Sequence, residues 1–341
     1  MTADSGLRPV LESLMILSPD SFVLGEEPPQ VVPAFVATVQ GLPSHPLPAD
    51  PLVSSLQGVF YSRAYIRDFG SPEPAPLPAD PGFLDRLTYA NRGRDLWDPG
   101  WEVYRTGPGG QLFVHKGDRH RSALPGEYVT GEMPGAVPRM GERVWLRAPR
   151  DSRTTQPGFY YLFGETLPGA WDDASLVRFY VHATADGVCG LIEYLTERLN
   201  RYLVPYRMKT LSNPAHFGRA DGTVLYVARD SFQIVARIFR ALPAPVAAGL
   251  RPRVPLFTWR LCPGVGVAEE PNTGESFGMH RCRLTAEGVV EAWRQGRQTL
   301  EARLQAVRDR FVAHGIRLDR PYLNPGSCDY FLALSAQGDD A

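Results

Sequence analysis

Two proline-rich segments limit what the first 90 residues of the chain can form. Residues 43–48 and 71–78 carry a proline at every second or third position. Proline lacks a backbone N–H and fixes φ, so these segments favour extended connectors over helices or central strands. Around them, short helices are predicted over residues 7–17, 52–67 and 82–90. Residues 1–95 are therefore predicted to be a Pro-rich helical N-terminal region and a candidate for peptide docking.

From Trp97 onward the pattern changes to short strands and turns. Residues 101–104 and 111–115 flank a Gly-Pro-Gly-Gly sequence, which is typical of a β-hairpin. Further strands are predicted over residues 143–149, 159–163, 176–182, around 208, 223–227 and 254–262.

Helices alternate with the later strands. Apolar residues at helical spacing predict helices beginning near Gly187, near Ser231 and after Thr285, the last reaching about Gly315. A Gly/Glu/Pro-rich loop is predicted over residues 263–278. This order predicts an α+β fold with a mixed, mainly antiparallel sheet flanked by helices. We assign the α+β domain to residues 96–335, with a catalytic core at about 140–290.

Composition argues against several classes of protein. No apolar run approaches the roughly 20 residues that a membrane helix needs, so no membrane role is expected. The first five residues lack a basic segment followed by an apolar one, and a secretion signal is therefore not expected. The four cysteines are scattered, as in proteins of a reducing compartment. These features predict a cytoplasmic protein.

Charge is distributed unevenly along the chain. Residues 176–320 hold 21 Lys+Arg and 13 Asp+Glu (21 − 13 = +8), whereas residues 1–175 hold 15 and 21 (15 − 21 = −6). The cationic section is suited to an anionic ligand, although an arginine-rich solvated surface would give the same count. Interleaved acids and the lack of a basic run argue against nucleic-acid binding.

Lysine is almost absent from this chain. Of the 36 Lys+Arg, the lysines are Lys116 and Lys209, and the other 34 are arginines. A guanidinium stays protonated, whereas burial or neighbouring cations can drive a lysine amine neutral and make it a base. Lys209 lies in an apolar run, which favours such a role. The alternative is that drift in base composition replaced lysine by arginine and left these two lysines by chance. This is the better explanation for Lys116.

Several strands carry side chains that suit a phosphorylated substrate. Alternation along a strand places Arg178, Tyr180 and His182 on one face, and likewise Arg207 and Lys209 on one face. Arginines hold phosphate by bidentate hydrogen bonds and lower the pKa of a nearby lysine. Lys209 would then be a base for an acidic C–H bond, and His182 a general acid for the departing phosphate. The alternative for the strand triplet is an ordinary half-exposed sheet.

Other chemistries lack their motifs. The sequence contains no H-E-x-x-H motif, carboxylate cluster or Cys/His ligand spacing, so no metal is expected. It also contains no G-x-x-x-x-G-K-[ST] and no G-x-S-x-G motif, which argues against a P-loop kinase and an α/β-hydrolase. No cofactor is expected.

Short segments between about residues 140 and 290 resemble the HopA-type effector family, whose enzymatic relatives are stand-alone lyases of lanthipeptide and thioamitide biosynthesis. The matching segments are Arg178-Phe179-Tyr180, Leu195-Thr196-Glu197-Arg198-Leu199-Asn200, Pro205-Tyr206-Arg207-Met208-Lys209, Arg219-Ala220-Asp221, Val224-Leu225-Tyr226, Pro255-Leu256-Phe257-Thr258, Gly264-Val265-Gly266-Val267-Ala268-Glu269-Glu270-Pro271 and Ser276-Phe277-Gly278-x-x-Arg281.

The order of these segments is also similar, at a distance, to that of phosphothreonine lyases. That resemblance implies an acid at His182, a base at Lys209 and phosphate contacts at Arg219, Tyr226 and Arg281. The lyases carry a Lys where this chain has Tyr180, and Arg178 is the candidate substitute in the phosphate contact. Residues expected to support the site are Tyr180, Arg207, Asp221, Glu269 and Arg283.

The resemblance implies β-elimination of phosphate from phosphoserine or phosphothreonine in a ribosomal precursor peptide, giving dehydroalanine or dehydrobutyrine. A separate kinase of aminoglycoside-phosphotransferase type would install the phosphate. Two alternatives remain at this point, a non-enzymatic effector-like binding module and a scaffold that docks the peptide for the kinase.

Overall fold

The computed structural model describes residues 2–33, 50–72, 77–78, 80–131, 137–169 and 175–332. The proline-rich segment 43–48 and much of 71–78 lie outside these ranges. Within them, no helix combines the length and apolar character that a membrane span requires.

Fifteen strands of the described residues form three sheets, and their pairings are antiparallel. The N-terminal sheet has the order β1-β2-β3 and consists of β1 (Leu14–Ser18), β2 (Ser21–Leu24) and β3 (Gln30–Val31). The five-stranded sheet has the order β6-β5-β4-β8-β7. Its strands are β4 (Leu96–Thr106), β5 (Leu112–Lys116), β6 (Arg119–Ala123), β7 (Tyr128–Thr130) and β8 (Arg143–Ala148).

The largest sheet has seven strands in the order β14-β15-β11-β13-β12-β10-β9. The strands are β9 (Asp151–Ser152), β10 (Phe159–Phe163), β11 (Leu176–Val181), β12 (Tyr206–Leu211), β13 (Thr223–Ala228), β14 (Trp259–Cys262) and β15 (Val265–Glu269). The described helices are α1 (Ala3–Ser13), α2 (Pro51–Phe60), α3 (Phe83–Ala90), α4 (Val188–Arg201), α5 (Phe232–Arg240), α6 (Ala244–Ala247), α7 (Phe277–Arg294) and α8 (Leu300–Ala313). The expected α+β fold with antiparallel sheets flanked by helices is confirmed.

Helices cover both faces of the seven-stranded sheet. On one face, Phe179 of β11 stacks on Phe232 and Phe239 of α5, with ring centroids 5.8 and 5.3 Å away. On the other face, Tyr180 packs against Phe277 of α7 at 6.1 Å. Apolar side chains from α1 and α2 join the same buried core. The five-stranded sheet has its own smaller core around Trp101.

The N-terminal region reaches the sheet through α2. Asp50 caps this helix by accepting from the backbone N–H groups of Leu52 and Val53, and Pro51 occupies its first turn, where a missing N–H costs nothing. A π-helical turn, Tyr61–Tyr65, continues the helix. The Ala220 N–H donates to the Ile66 carbonyl at 2.9 Å. This bond ties the end of the turn to the loop before β13.

Four sequence predictions of secondary structure were wrong. The helix expected over residues 7–17 ends at Ser13, because residues 14–18 pair with β2 as a strand. The predicted loop 263–278 contains β15, next to β11 in the sheet. Gly266 was assigned to a loop because glycine is common in loops. The strand needs glycine at this position, because a Cβ there would clash with Thr258 Oγ1.

The other two errors concern residues 254–258 and the last helix. Residues 254–258 form turns, with Phe257 at φ +72°, and the strand is limited to Trp259–Cys262. The long helix expected after Thr285 is two helices, α7 and α8. They separate at Gly296, whose φ of +72° is accessible to glycine at little cost.

Candidate active site

One face of the seven-stranded sheet gathers five of the residues singled out in the sequence. Arg178 on β11 lies opposite Tyr226 on β13, which lies opposite Arg207 on β12. Directly opposed residues of antiparallel strands project to the same side, so these three form one row. Tyr180 and Lys209 lie two residues further along their strands and form the next row.

The first row is an aromatic ring between two cations. The guanidinium carbons of Arg178 and Arg207 lie 5.1 and 4.9 Å from the Tyr226 ring centroid, within cation–π range. Arg178 is nearly buried and forms an ion pair with Glu270. Arg207 is exposed, and no carboxylate of the described residues pairs with it. An incoming anion would therefore meet Arg207 without first displacing a carboxylate.

Lys209 is half-buried beside this row. Its Nζ donates to Gln156 Oε1 at 3.1 Å and lies 4.4 Å from the Phe159 ring centroid. Burial, followed by the positive charges of Arg178, Arg219 and Arg207, lowers the pKa of Lys209 to about 8 against the opposing effect of Asp221. Burial and neighbouring cations were both expected to lower this pKa, and burial has the larger effect. We call Arg207 and the Tyr226 ring the open half of the site.

Arg219 lies on the other side of Lys209 and is paired within the protein. Its Nε and Nη2 donate to the two carboxylate oxygens of Asp221 at 2.5 and 2.8 Å. The Tyr61 hydroxyl accepts from Arg219 Nη2 at 2.8 Å and donates to Asp221 Oδ2 at 2.7 Å. Asp221 is buried, and this three-residue network satisfies its charge.

His182 follows β11 and is 5% exposed. Its Nδ1 lies 3.2 Å from the Arg253 carbonyl oxygen, which can only accept, so the neutral ring carries its proton on Nδ1. Nε2 is buried without a hydrogen-bond partner and is the atom that can take up a proton. Burial, followed by the charges of Arg251 and Arg253, lowers the pKa of His182 to about 4, against the opposing effects of the Arg253 carbonyl and Asp221. We call His182, Arg219, Asp221 and Tyr61 the covered half.

Arg281 lies apart from the open half. It is fully buried, and its Nε and Nη2 donate to the carbonyl oxygens of Pro321 and Leu323 at 2.7 and 3.0 Å. Its Nη1 lies 2.6 Å from His280 Nδ1, so every guanidinium nitrogen has a partner within the protein. Burial lowers the pKa of Arg281 to about 10. These contacts tie α7 to the segment after α8.

Glu269 and Arg283 serve the same framework. Glu269 accepts from the backbone N–H of Asn324 at 2.6 Å. Arg283 pairs with Glu275 and Glu287 at 2.8 and 2.7 Å. Neither side chain joins the row of Arg178, Tyr226 and Arg207. Both were expected to support the site, and the structure places them in the packing of α7.

Residues 150–323 match the model of the HopA1 effector protein family, which is just over half of the chain. The chain belongs to this family. Two solved effector proteins are similar, with sequence identities of 14% each. The one from Pseudomonas syringae pv. tomato strain DC3000 has a TM-score of 0.45 and aligns over 80% of this chain and 94% of its own. The one from Pseudomonas syringae pv. syringae strain 61 has a TM-score of 0.41 and aligns over 74% and 86%. No curated protein matches the chain.

The region matched to the HopA1 family contains each site residue predicted from the sequence and excludes two that the structure adds. Tyr61 and Tyr65 come from the turn after α2, with stacked rings 5.2 Å apart, and Tyr65 makes an edge contact with Tyr180 at 6.4 Å. The sequence predicted a helix here, within the candidate peptide-docking region, and assigned these two tyrosines no part in the site. The four-residue spacing of the two tyrosines, which puts both on one helical face, is the signal that was overlooked.

Gln156 is a third addition. Its Oε1 accepts from both Lys209 Nζ and the Tyr161 hydroxyl, at 3.1 and 2.8 Å. An amide oxygen that holds the amine in place orients it without adding charge. Nothing in the local sequence marks Gln156, because it lies in an irregular segment before β10 and approaches Lys209 only through strand pairing.

Proposed function

We propose that this HopA1-family protein is a metal-independent lyase that eliminates phosphate from phosphoserine or phosphothreonine in a peptide. The observation that carries the proposal is Lys209, a half-buried amine with a pKa lowered to about 8 beside three arginines. An amine with such a pKa is partly neutral near pH 7 and can act as a base. The resemblance to phosphothreonine lyases, which assigns the base to this position, supports the same reading.

In the proposed reaction, neutral Lys209 takes the proton from Cα of the phosphorylated residue. The electron pair of that C–H bond forms the Cα=Cβ double bond while the Cβ–O bond to phosphate breaks. The phosphate leaves with both electrons of the C–O bond and receives a proton from His182. Dehydroalanine arises from phosphoserine and dehydrobutyrine from phosphothreonine.

Phosphate binding would begin in the open half. Arg207 has unpaired N–H donors and shares the Tyr226 ring with Arg178, so one phosphate can approach both cations. Arg178 also compensates for the Lys that phosphothreonine lyases carry at the position of Tyr180, because its Nη1 lies 3.5 Å from the Tyr180 hydroxyl. Arg207, expected only to support the site, becomes a principal phosphate contact in this proposal.

The covered half would supply the acid and the second cation. Neutral His182 has to take up a proton before it can donate one, and a phosphate anion near Nε2 would raise its pKa. Arg219 would contact phosphate with the N–H groups that Asp221 and Tyr61 leave free. Its ion pair holds the guanidinium in one orientation before the substrate arrives. Arg281 would act indirectly, as a buried residue that supports α7.

The substrate class that fits the resemblance is a ribosomal precursor peptide phosphorylated by a separate kinase of aminoglycoside-phosphotransferase type. No nucleotide-binding motif occurs in this chain, which agrees with a division of the two steps. The proposal needs no cofactor, and it places the reaction in the cytoplasm.

Mass spectrometry of a phosphothreonine peptide after incubation with the protein tests the proposal. A lyase gives a product lighter than the unphosphorylated peptide by one water, which then adds a thiol at the new alkene. The reaction should proceed unchanged in EDTA. Recovery of the plain hydroxyl peptide would identify a phosphatase and overturn the proposal, as would loss of activity on chelation.

A binding module or docking scaffold is the second candidate, and the ion pairs of Arg178 and Arg219 favour it. Both cations have a carboxylate partner without any ligand, as structural cations do. A protein that retains the phosphopeptide with its mass unchanged would support this alternative. The lyase would then be excluded.

A further inference from the structure

A cavity of about 400 Å³ lies beside the open half. Its floor is the face of the seven-stranded sheet that carries Arg207 and Tyr226, and its walls include Phe163, Leu167 and Leu176. Arg121 and Pro149, from or next to the five-stranded sheet, complete it from the other side. The cavity therefore lies between the two sheets and shares Arg207 with the proposed phosphate site.

The strand register gives the distance from this cavity to Lys209. Arg207 and Lys209 share a face of β12, Pro205 directly precedes this strand, and Pro205 and Arg207 line the cavity. Leu176 and Ala228 are directly opposed and line the same floor. With a rise of about 3.3 Å per residue, the cavity begins about 7 Å from Lys209 and reaches about 13 Å.

The lining is apolar with a cationic edge. Apolar side chains dominate the floor and walls, and Ser152, Thr155 and Thr166 are the neutral polar members. Among the described lining residues there are two arginines, Arg121 and Arg207, and no carboxylate. An acidic or amide group placed against the floor and walls, away from the two arginines at the edge, would find few partners, whereas an apolar group with an anion at its side matches both features.

We propose that this cavity binds an apolar side chain of the substrate peptide, two to four residues from the phosphorylated residue. The inference rests on the proposed function, since it takes Lys209 as the position of the reacting residue. In an extended peptide, side chains two and four residues away lie about 7 and 13 Å along the same side. These are the distances at which the cavity begins and ends. Arg207 lies between the phosphate site and the apolar cavity, and contacts the phosphate on one side and the apolar group on the other.

A series of phosphothreonine peptides tests the proposal. Each peptide carries Leu, Ala or Asp at one of the four positions on either side of phosphothreonine, and kcat/KM for elimination and Kd for the Lys209→Arg variant are measured separately. At one or two positions, two to four residues away, Leu should be preferred over Ala by about tenfold and over Asp by more. The preference should appear in KM and Kd rather than in kcat.

Cavity-filling variants test whether the preference for Leu arises in this cavity. Thr155 lies on the exposed rim, so Thr155→Trp should reduce the preference for Leu to about twofold without affecting the core. Ala228→Leu fills the floor and should act in the same direction. Thr154→Trp is the matched control, because its neighbouring exposed side chain does not line the cavity. Thermal unfolding of each variant shows whether it folds. If Ala228→Leu does not fold, the result for Thr155→Trp decides whether the preference arises in the cavity.

The outcomes distinguish failure of the subsite proposal from failure of the lyase proposal. Elimination with equal kcat/KM across the whole series leaves the lyase standing and overturns the subsite. A preference that survives both filling variants overturns it too. If no phosphopeptide is bound or converted, the proposed function is lost and the subsite with it.

Discussion

The open and covered halves of the site contain similar side chains in different surroundings. Arg207 in the open half is exposed and unpaired among the described residues, whereas Arg219 in the covered half donates two hydrogen bonds to buried Asp221. Lys209 lies between them. Asp221 lies two residues from Arg219, and the turn after α2 adds the Tyr61 hydroxyl, whereas no such contact reaches Arg207 from the residues that the structure describes.

This contrast indicates a division of labour. An exposed, unpaired cation attracts an anion from solution, but it is mobile and loses side-chain entropy when it binds. A half-buried, paired cation such as Arg219 is already ordered, but it retains fewer free donors. We therefore expect the open half to determine phosphate affinity and the covered half to determine geometry. The following predictions test that expectation, beginning with the largest effect.

Replacing the base should give the largest effect. Lys209→Arg keeps a cation between the halves but cannot accept a proton, so elimination should fall by about 10²–10⁴-fold while phosphopeptide binding persists. Mass spectrometry and fluorescence anisotropy measure the two quantities. Lys116→Arg is the matched control. The other lysine of the chain pairs with Asp98 in the five-stranded sheet, and its substitution should leave elimination unchanged.

Two arginines should separate stability from binding. Arg281→Ala removes the donors to the carbonyl oxygens of Pro321 and Leu323, and should lower the free energy of unfolding by about 2–5 kcal/mol. Arg207→Ala should leave thermal stability unchanged and raise the Kd of a phosphopeptide by about tenfold or more. Calorimetry and anisotropy check the pair. A normal Kd for the folded Arg207→Ala protein would refute the division between the halves.

The pH profile tests how the two halves act on Lys209. With the pKa of Lys209 at about 8 and His182 kept protonated by the bound phosphate, kcat should rise about fivefold from pH 7 to pH 8 and less than twofold from pH 8 to pH 9. Arg207 lowers this pKa and Asp221 raises it. Arg207→Gln should therefore move the rising limb to higher pH, and Asp221→Asn should move it to lower pH. Shifts in the same direction for both variants would contradict the assignment.

The smallest effect is expected at Tyr61. Tyr61→Phe removes one hydroxyl from the Arg219–Asp221 network, and kcat should fall by about two- to tenfold with little change in the Kd of the phosphopeptide. Tyr89→Phe is the control, because the Tyr89 side chain is 78% exposed on α3. A large increase in Kd for Tyr61→Phe would show that the covered half determines phosphopeptide affinity rather than the geometry of the site.

Strand alternation carried much of the fold prediction. The period-two pattern of β11 and β12 placed Arg178 with Tyr180, and Arg207 with Lys209, and antiparallel pairing then put both pairs on one face. Glycine was the main source of error. Gly266 suggested a loop where the chain needs a flat, side-chain-free strand, and Gly296 sits where two helices separate.

The sequence by itself determined the residue types of the site and the faces they share, because the side-chain period of a strand is a local property of the backbone. The rarity of lysine likewise made Lys209 visible without any structure. The tertiary structure alone decided which cations are already paired, since Asp221, Glu270 and Tyr61 approach their arginines from other elements or through turns. It also decided that burial is the main cause of the lowered pKa of Lys209 and that Arg281 is enclosed by the segment after α8. Burial, and the contacts of Arg178 with Glu270 and of Arg219 with Tyr61, join residues distant in the chain, which no local pattern records.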